Sequence, residues 1–192
     1  LGASGEYIAD ACRGIEAGLP SYSSLPSSVS RETTFHADTS DRHYITAMLW
    51  YLIERGGKAI RKIGLEARSL EVRIRYSDFK NARRSTLLTE YSSRDAEFFR
   101  SAEMMFESLY TRRVTLRYIG ITLSRFRPAV NATQLLLFEP DPPPNHLYES
   151  VDEVRRKYGH SALAGGRSIS LLNRLKKNED RGFVLRTPSL TQ

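Results

Sequence analysis

Apolar positions in this chain recur at every second residue in some segments and at every third or fourth in others. Leu70, Val72, Ile74 and Tyr76 fall on one side of an alternating run, with Ser69, Glu71, Arg73 and Arg75 on the other. That is the period of a strand covered on one face. Ser28 to Phe35 alternates in the same way, Val29, Arg31, Thr33 and Phe35 against Ser28, Ser30, Glu32 and Thr34. After the turn "SDFKNARR", the segment "RSTLLTE" reads as a shorter returning strand, and Val114 to about Ser124 as a last one. Between the strands the period changes. Ile45, Met48, Leu49, Leu52 and Ile53 form a helical stripe preceded by the capping residues "DTSD". Gly56 and Gly57 each weaken that helix by about 1 kcal/mol, which predicts a bend or an early end before the stripe resumes at Ala59, Ile60 and Ile63. Ser92 and Asp95 stand as a capping-box-like start to a second helix, whose stripe is Phe98, Ala102, Met105, Phe106 and Leu109.

Strand, helix, strand, strand, helix, strand is the order of the split βαβ, or ferredoxin-like, α+β arrangement. It implies a four-stranded antiparallel sheet with two helices on one face and the other face open. The open face inherits the polar strand positions, including Glu71, Arg73 and Arg75, with Arg83, Arg84, Ser85 and Thr86 nearby. Outside this block, the first residues read as a short helix with Ile8, Ala11, Cys12 and Ile15 on one face, followed by a serine- and proline-rich linker. "EPDPPPNH" is an extended tract, and "LYESVDEVRRKYG" a short amphipathic helix with Leu147, Val151 and Val154 on one side. The remainder mixes glycine, charge and isolated apolar residues, and is expected to be mobile or weakly docked.

Charge narrows the choice of partner. Lys and Arg total 29 against 22 acids, a formal net charge of +7, and most of the cations are arginine. A polyanion such as nucleic acid is the natural partner for flat, two-pronged guanidinium donors. No apolar run approaches the ~20 residues that cross a bilayer, and no basic-then-apolar leader opens the sequence. The single cysteine, Cys12, fits a reducing compartment. Catalytic chemistry is not legible. The histidines are scattered without metal-ligand spacing, "AGGRS" lacks the lysine and preceding strand of a phosphate loop, and no pair of metal-binding acids can be identified. The residues describe a binding module, with no catalytic or metal-ligating residue assigned and no cofactor.

One stretch stands apart. Gln134-Leu135-Leu136-Leu137-Phe138 is followed at once by Glu139, Pro140, Asp141 and three further prolines. An edge strand or a strap across the core is the plain structural explanation. The exposed, proline-rich setting favours instead a linear peptide that buries its apolar side chains in a partner's cleft.

Taken in order, "PSSVSRETTF", "LEARSLEVRIRYSDF", "VTLRYIGITLSRF", "QLLLFEP" and "VDEVRRKYG" resemble the C-terminal part of Y-family translesion DNA polymerases, the DNA polymerase IV type most. The resemblance divides the chain into an end-of-thumb segment at 1–20, a linker at 21–27 and a little finger (polymerase-associated) domain at 28–126. A clamp-binding peptide with its proline-rich linker follows at 127–146, and a short helix with a tail at 147–192. It implies DNA repair by translesion synthesis in the bacterial cytoplasm, with the little finger gripping primer–template duplex through phosphates, which tolerates damaged bases. The DNA-binding residues it implies are Ser28, Ser30, Arg31, Arg73, Arg75, Arg83, Arg84, Ser85 and Thr86. The pentapeptide resembles the bacterial sliding-clamp motif, with Gln134, Leu135, Leu137 and Phe138 as the clamp-binding residues. The nucleotidyltransferase carboxylates and their magnesium belong to a palm that would precede Leu1. Duplex DNA and the clamp are thus the expected partners, and a monomer with no membrane association is the expected state. The alternative is a stand-alone clamp-binding adaptor without polymerase activity. An RNA-binding domain of the same architecture would need aromatics on the open face of the central strands, where the second strand carries Glu71, Arg73 and Arg75.

Overall fold

The computed structural model describes residues 2–15, 25–129, 146–159, 162–163, 165–168 and 171. Helix α1 (Gly2–Cys12) is followed by strand β1 (Ser28–Thr39), helix α2 (Arg42–Lys62), strands β2 (Leu65–Tyr76) and β3 (Asn81–Ser92), helix α3 (Asp95–Leu109), strand β4 (Leu116–Pro128) and helix α4 (His146–Tyr158). The strands form one sheet in the order β1-β4-β2-β3, antiparallel between every pair of neighbours. The expected α+β fold and element order are therefore present. β1 and β2 run parallel with β4 between them, and β3 and β4 run parallel with β2 between them, so each βαβ unit is split by a strand of the other. The element order alone admits two such interleavings. The one adopted puts β2 and β4, which carry the most buried apolar residues, in the middle of the sheet, and leaves the more polar β1 and β3 as edges.

Helix α2 lies over β1 and β4, and α3 over β2 and β3. Their stripes close on Leu70, Val72 and Ile74 of β2 and on Leu116, Ile119, Ile121 and Leu123 of β4, all buried. At ~1.5–3 kcal/mol for each large apolar side chain, this one-sided core is the main source of stability. Asp41 caps α2 as expected, its carboxylate accepting from the Tyr44 N–H at 3.1 Å.

Three local expectations are overturned. Strand β3, expected to be shorter, runs twelve residues from Asn81 to Ser92 and takes in Arg83 and Arg84 of the expected turn. Helix α2 runs unbroken through Gly56 and Gly57. The glycines are there for contact: a Cβ at Gly56 would lie 3.0 Å from Ile121 Cδ1, and one at Gly57 only 2.0 Å from Asp95 Oδ1. Their absent side chains let the sheet and the start of α3 approach the helix axis, and the tertiary packing outweighs the propensity cost. Nor do Ser92 and Asp95 form a capping box. Ser92 Oγ accepts from the Arg94 N–H at 3.1 Å, and Arg94 itself is the N-cap residue with no side-chain cap. Asp95 turns away to meet Arg61 at 2.7 Å.

That pair belongs to a charged seam that fastens a further layer on the outer side of the helices. Arg61 bridges Asp95 and, at 2.7 Å from its Nε, Asp152 of α4, while its guanidinium sits 5.0 Å from the Tyr148 ring. About one turn further along α4, Arg155, buried, donates to Glu54 of α2 at 2.6 Å and to the Leu163 carbonyl at 2.8 Å. Ser168 donates to the other Glu54 oxygen at 3.5 Å, and Leu171 is fully buried in the core cluster. The expectation of a weakly docked tail after Gly159 therefore fails for the residues described there. Leu171 is buried in the core, Ser168 meets Glu54 of α2, and Arg167 meets Glu103 and Phe99 of α3, partners that the local sequence does not reveal.

Gly57→Ala tests the close approach by its sign. Helix propensity favours alanine by about 1 kcal/mol, yet the collision with Asp95 should lower the melting temperature by about 5 °C or more. Burial pushes the Asp95 carboxyl up to about 6, against the pull of Arg61 and with Glu54 and Asp152 adding to the rise. A folded-state value above the unfolded one of about 3.9 gives stability that is complete at low pH and lost as pH rises through about 6. Relative to the non-titrating Asp95→Asn variant, the parent should therefore lose stability between pH 4 and 6, as read by urea unfolding of both proteins across that range.

Candidate nucleic-acid interface

The strand register fixes which side chains share the open face, because residues directly opposite one another project to the same side. Four rows cross the sheet from β1 through β4 and β2 to β3. They are Ser28, Ser124, Ser69 and Leu87; Ser30, Thr122, Glu71 and Ser85; Glu32, Gly120, Arg73 and Arg83; and Thr34, Tyr118, Arg75 and Asn81. At about 4.8 Å between strands, each row is roughly 15 Å wide. The face grades from hydroxyls at one end to guanidinium groups at the other. No described element packs on it.

Its side chains are organised by each other. Ser30 Oγ and Thr122 Oγ1 are 3.0 Å apart. Arg73 donates to Glu71 at 3.0 Å, and Arg75 donates to Asn81 at 2.9 Å. The Tyr118 hydroxyl donates to Glu32 at 2.5 Å, and the Arg75 guanidinium lies 5.3 Å from the Tyr118 ring centre. Burial, followed by the hydrogen bond to Glu32, pushes the Tyr118 phenol well above the usual tyrosine range. Gly120 makes this possible: a Cβ there would lie 2.9 Å from the Tyr118 hydroxyl and 3.0 Å from Glu32 Cβ. The tyrosine lies close over the glycine, between an acid and a guanidinium, so its ring is engaged. Arg83 and Ser85 on the edge strand are exposed, and among the described residues no carboxylate pairs with Arg83.

Of the residues implied as DNA-binding, this face gathers Ser28, Ser30, Arg73, Arg75, Arg83 and Ser85. It does not gather the other three. Arg31 is opposite Ile121, Arg84 opposite Val72 and Thr86 opposite Leu70, so all three project to the helix side. Strand alternation separates each of them from its neighbour by one residue. The face also holds Ser69, which the alternation of β2 placed on its polar side, and residues that the sequence reading passed over: Tyr118, Gly120, Thr122 and Ser124 of β4. The signal was available in the alternation of "YIGITLS", where every second residue is polar or glycine. Gln134, Leu135, Leu137 and Phe138 lie outside the described residues. Among the described residues no three His, Cys, Asp or Glu side chains cluster as a metal site, and no helix is long and apolar enough to cross a membrane.

Comparison with known proteins gives this face its family. Residues 26–137 match the model of the impB/mucB/samB family C-terminal domain. The chain belongs to that family. It is 33% identical over 175 residues to DNA polymerase IV of Dehalococcoides mccartyi strain CBDB1, a match covering 89% of this chain and 44% of that protein. DNA polymerase IV of Methanoculleus marisnigri strain JR1 is 33% identical over 124 residues, which cover 65% of this chain and 34% of the relative. DNA polymerase IV of Caulobacter vibrioides is 26% identical over 170 residues, 88% of this chain and 42% of the relative. The resemblance to the C-terminal region of Y-family polymerases, DNA polymerase IV type, is thereby borne out. The chain spans less than half the length of these relatives.

Proposed function

We propose that this chain is the DNA-gripping and clamp-tethering region of a translesion DNA polymerase of the bacterial cytoplasm. The observation that carries the reading is the open sheet face, with Arg73, Arg75 and Arg83 beside a field of hydroxyls, in a chain of this family. A roughly 15 Å wide platform is comparable to the ~12 Å major groove of a duplex, and arginines and serines are the groups that hold phosphate oxygens. Contacts of that kind read no bases, so a primer–template with an altered base would be held like a normal one. The palm, its carboxylates and its magnesium lie on another part of the polymerase, and this region supplies grip and recruitment without nucleotidyl transfer. An RNA-reading role is disfavoured because the single open-face aromatic of the central strands, Tyr118, is already held by Glu32 and Arg75.

The second half of the proposal concerns Gln134–Phe138. Its glutamine would hydrogen-bond at the rim of a clamp pocket while Leu135, Leu137 and Phe138 fill it. A few such side chains, at ~25 cal/mol per Å2, leave a micromolar-class affinity after the costs of ordering.

The DNA reading is tested by duplex binding as a function of salt. The parent should lose affinity steeply, and Arg73→Ala with Arg75→Ala should flatten the log–log slope by about 1 to 2 while leaving the melting temperature nearly unchanged. A chain that binds duplex weakly at every salt concentration would instead be the adaptor. For the tether, Leu137→Ala with Phe138→Ala should abolish capture by the sliding clamp without lowering the melting temperature. A large drop in melting temperature would mean that the peptide is a core strap.

A further inference from the structure

Two arginines meet at the β1 edge on the helix side of the sheet, behind the face just described, and a lysine follows one of them along α2. Arg31 projects there, and its stem runs past Gly56: a Cβ on that glycine would lie 4.0 Å from Arg31 Cγ. Arg55 precedes the glycine, and Lys58 follows Arg55 by one helical turn. Neutral groups hold both guanidiniums in place. Arg31 Nη1 donates to the Ser30 carbonyl at 2.8 Å. Arg55 Nη1 donates to the Tyr51 hydroxyl at 3.1 Å, with its guanidinium 5.7 Å from that ring's centre.

Elsewhere on the surface an arginine commonly faces a carboxylate, as Arg42 does Glu107, Arg112 does Asp78 and Arg127 does Glu66. Among the described residues no carboxylate forms an ion pair with Arg31, Arg55 or Lys58. Burial lowers the Arg31 pKa and the charge of Arg55 lowers it further. Burial does the same to Lys58, where Arg155, Arg55 and Arg61 act against Asp152. Like charges held together by neutral tethers cost free energy, and an anion seated between them would remove that cost.

We propose that Arg31 and Arg55, with Lys58 one turn further along α2, form a second phosphate site, which takes a backbone phosphate of DNA passing the edge of the sheet. The proposal rests on the DNA-binding reading of the open face. Two guanidinium forks suit the oxygens of a phosphodiester. β1 is one of the two edge strands, so a nucleic-acid strand that crosses it meets Ser28 and Ser30 on one side and Arg31 on the other.

The test compares Arg31→Gln with Arg55→Gln, combined, against Arg73→Ala with Arg75→Ala, using a fluorescently labelled primer–template titrated over a range of NaCl concentrations. The edge variant should weaken binding several-fold and reduce the slope of log affinity against log salt by about 1. It should melt no earlier than the parent, because a repulsion has been removed. Added inorganic phosphate should raise the melting temperature of the parent more than that of the edge variant. Unaltered affinity and slope in the edge variant, with binding weakened in the face variant, would overturn the edge site and leave the open-face reading intact. Weakened binding in the edge variant alone would support the edge site and overturn the open-face reading. Unaltered binding in both would overturn both. Should the combined variant melt early, Arg55→Gln alone, which leaves β1 unchanged, repeats the measurement with the same outcomes.

Discussion

The one-sidedness of the two central strands is the constraint from which the rest follows. β2 and β4 place Leu70, Val72, Ile74, Ile119, Ile121 and Leu123 on a single side of the sheet, and α2 and α3 seal that side. A strand's period of two then leaves no freedom about the reverse side. Every residue between those apolar positions must stand on the uncovered face, and a slip of one residue would bury arginines and expose leucines. The polar surface is thus specified by the same hydrophobic pattern that specifies the core.

Electrostatics plays a different part on each side of the molecule. On the open face, charges are loosely matched: Glu71 with Arg73 and Glu32 with Tyr118, with Arg75 held by the neutral Asn81. An exposed pairing such as Glu71 with Arg73 contributes little to stability, and the arginine can exchange its partner for phosphate. Behind the helices, Arg61 and Arg155 are buried with their carboxylates. There, losing one partner strands a charge at a cost of about 3–5 kcal/mol. The seam is accordingly structural, and it explains how a helix with little apolar surface of its own, α4, holds its place against α2.

The strands and helices were legible because their apolar residues repeat with a clean period, and so was the Asp41 cap, whose effect is local. What stayed hidden was long-range. Gly56 and Gly57 read as helix breakers because only the folded structure shows Ile121 and Asp95 pressed against them. Asp95 read as a cap because nothing nearby announces Arg61, 34 residues away. Arg31, Arg84 and Thr86 were grouped with the open-face residues by proximity along the chain and by family resemblance, although the alternation in β1 already set Arg31 apart from Ser28 and Ser30. The face residues of β4 went unnamed because that strand was read only as a span, without separating its two sides.

The family match ends at residue 137, but the folded body does not. Glu54 lies under Arg155 and Ser168, Gly165 is seated against Trp50, and Leu171 completes the apolar interior. A fragment trimmed to the family boundary would leave the Glu54 carboxylate without its counter-ion on a partly apolar surface, an invitation to aggregate. The physical module therefore includes Arg155, Gly165, Ser168 and Leu171, which cover a helix laid down more than a hundred residues earlier.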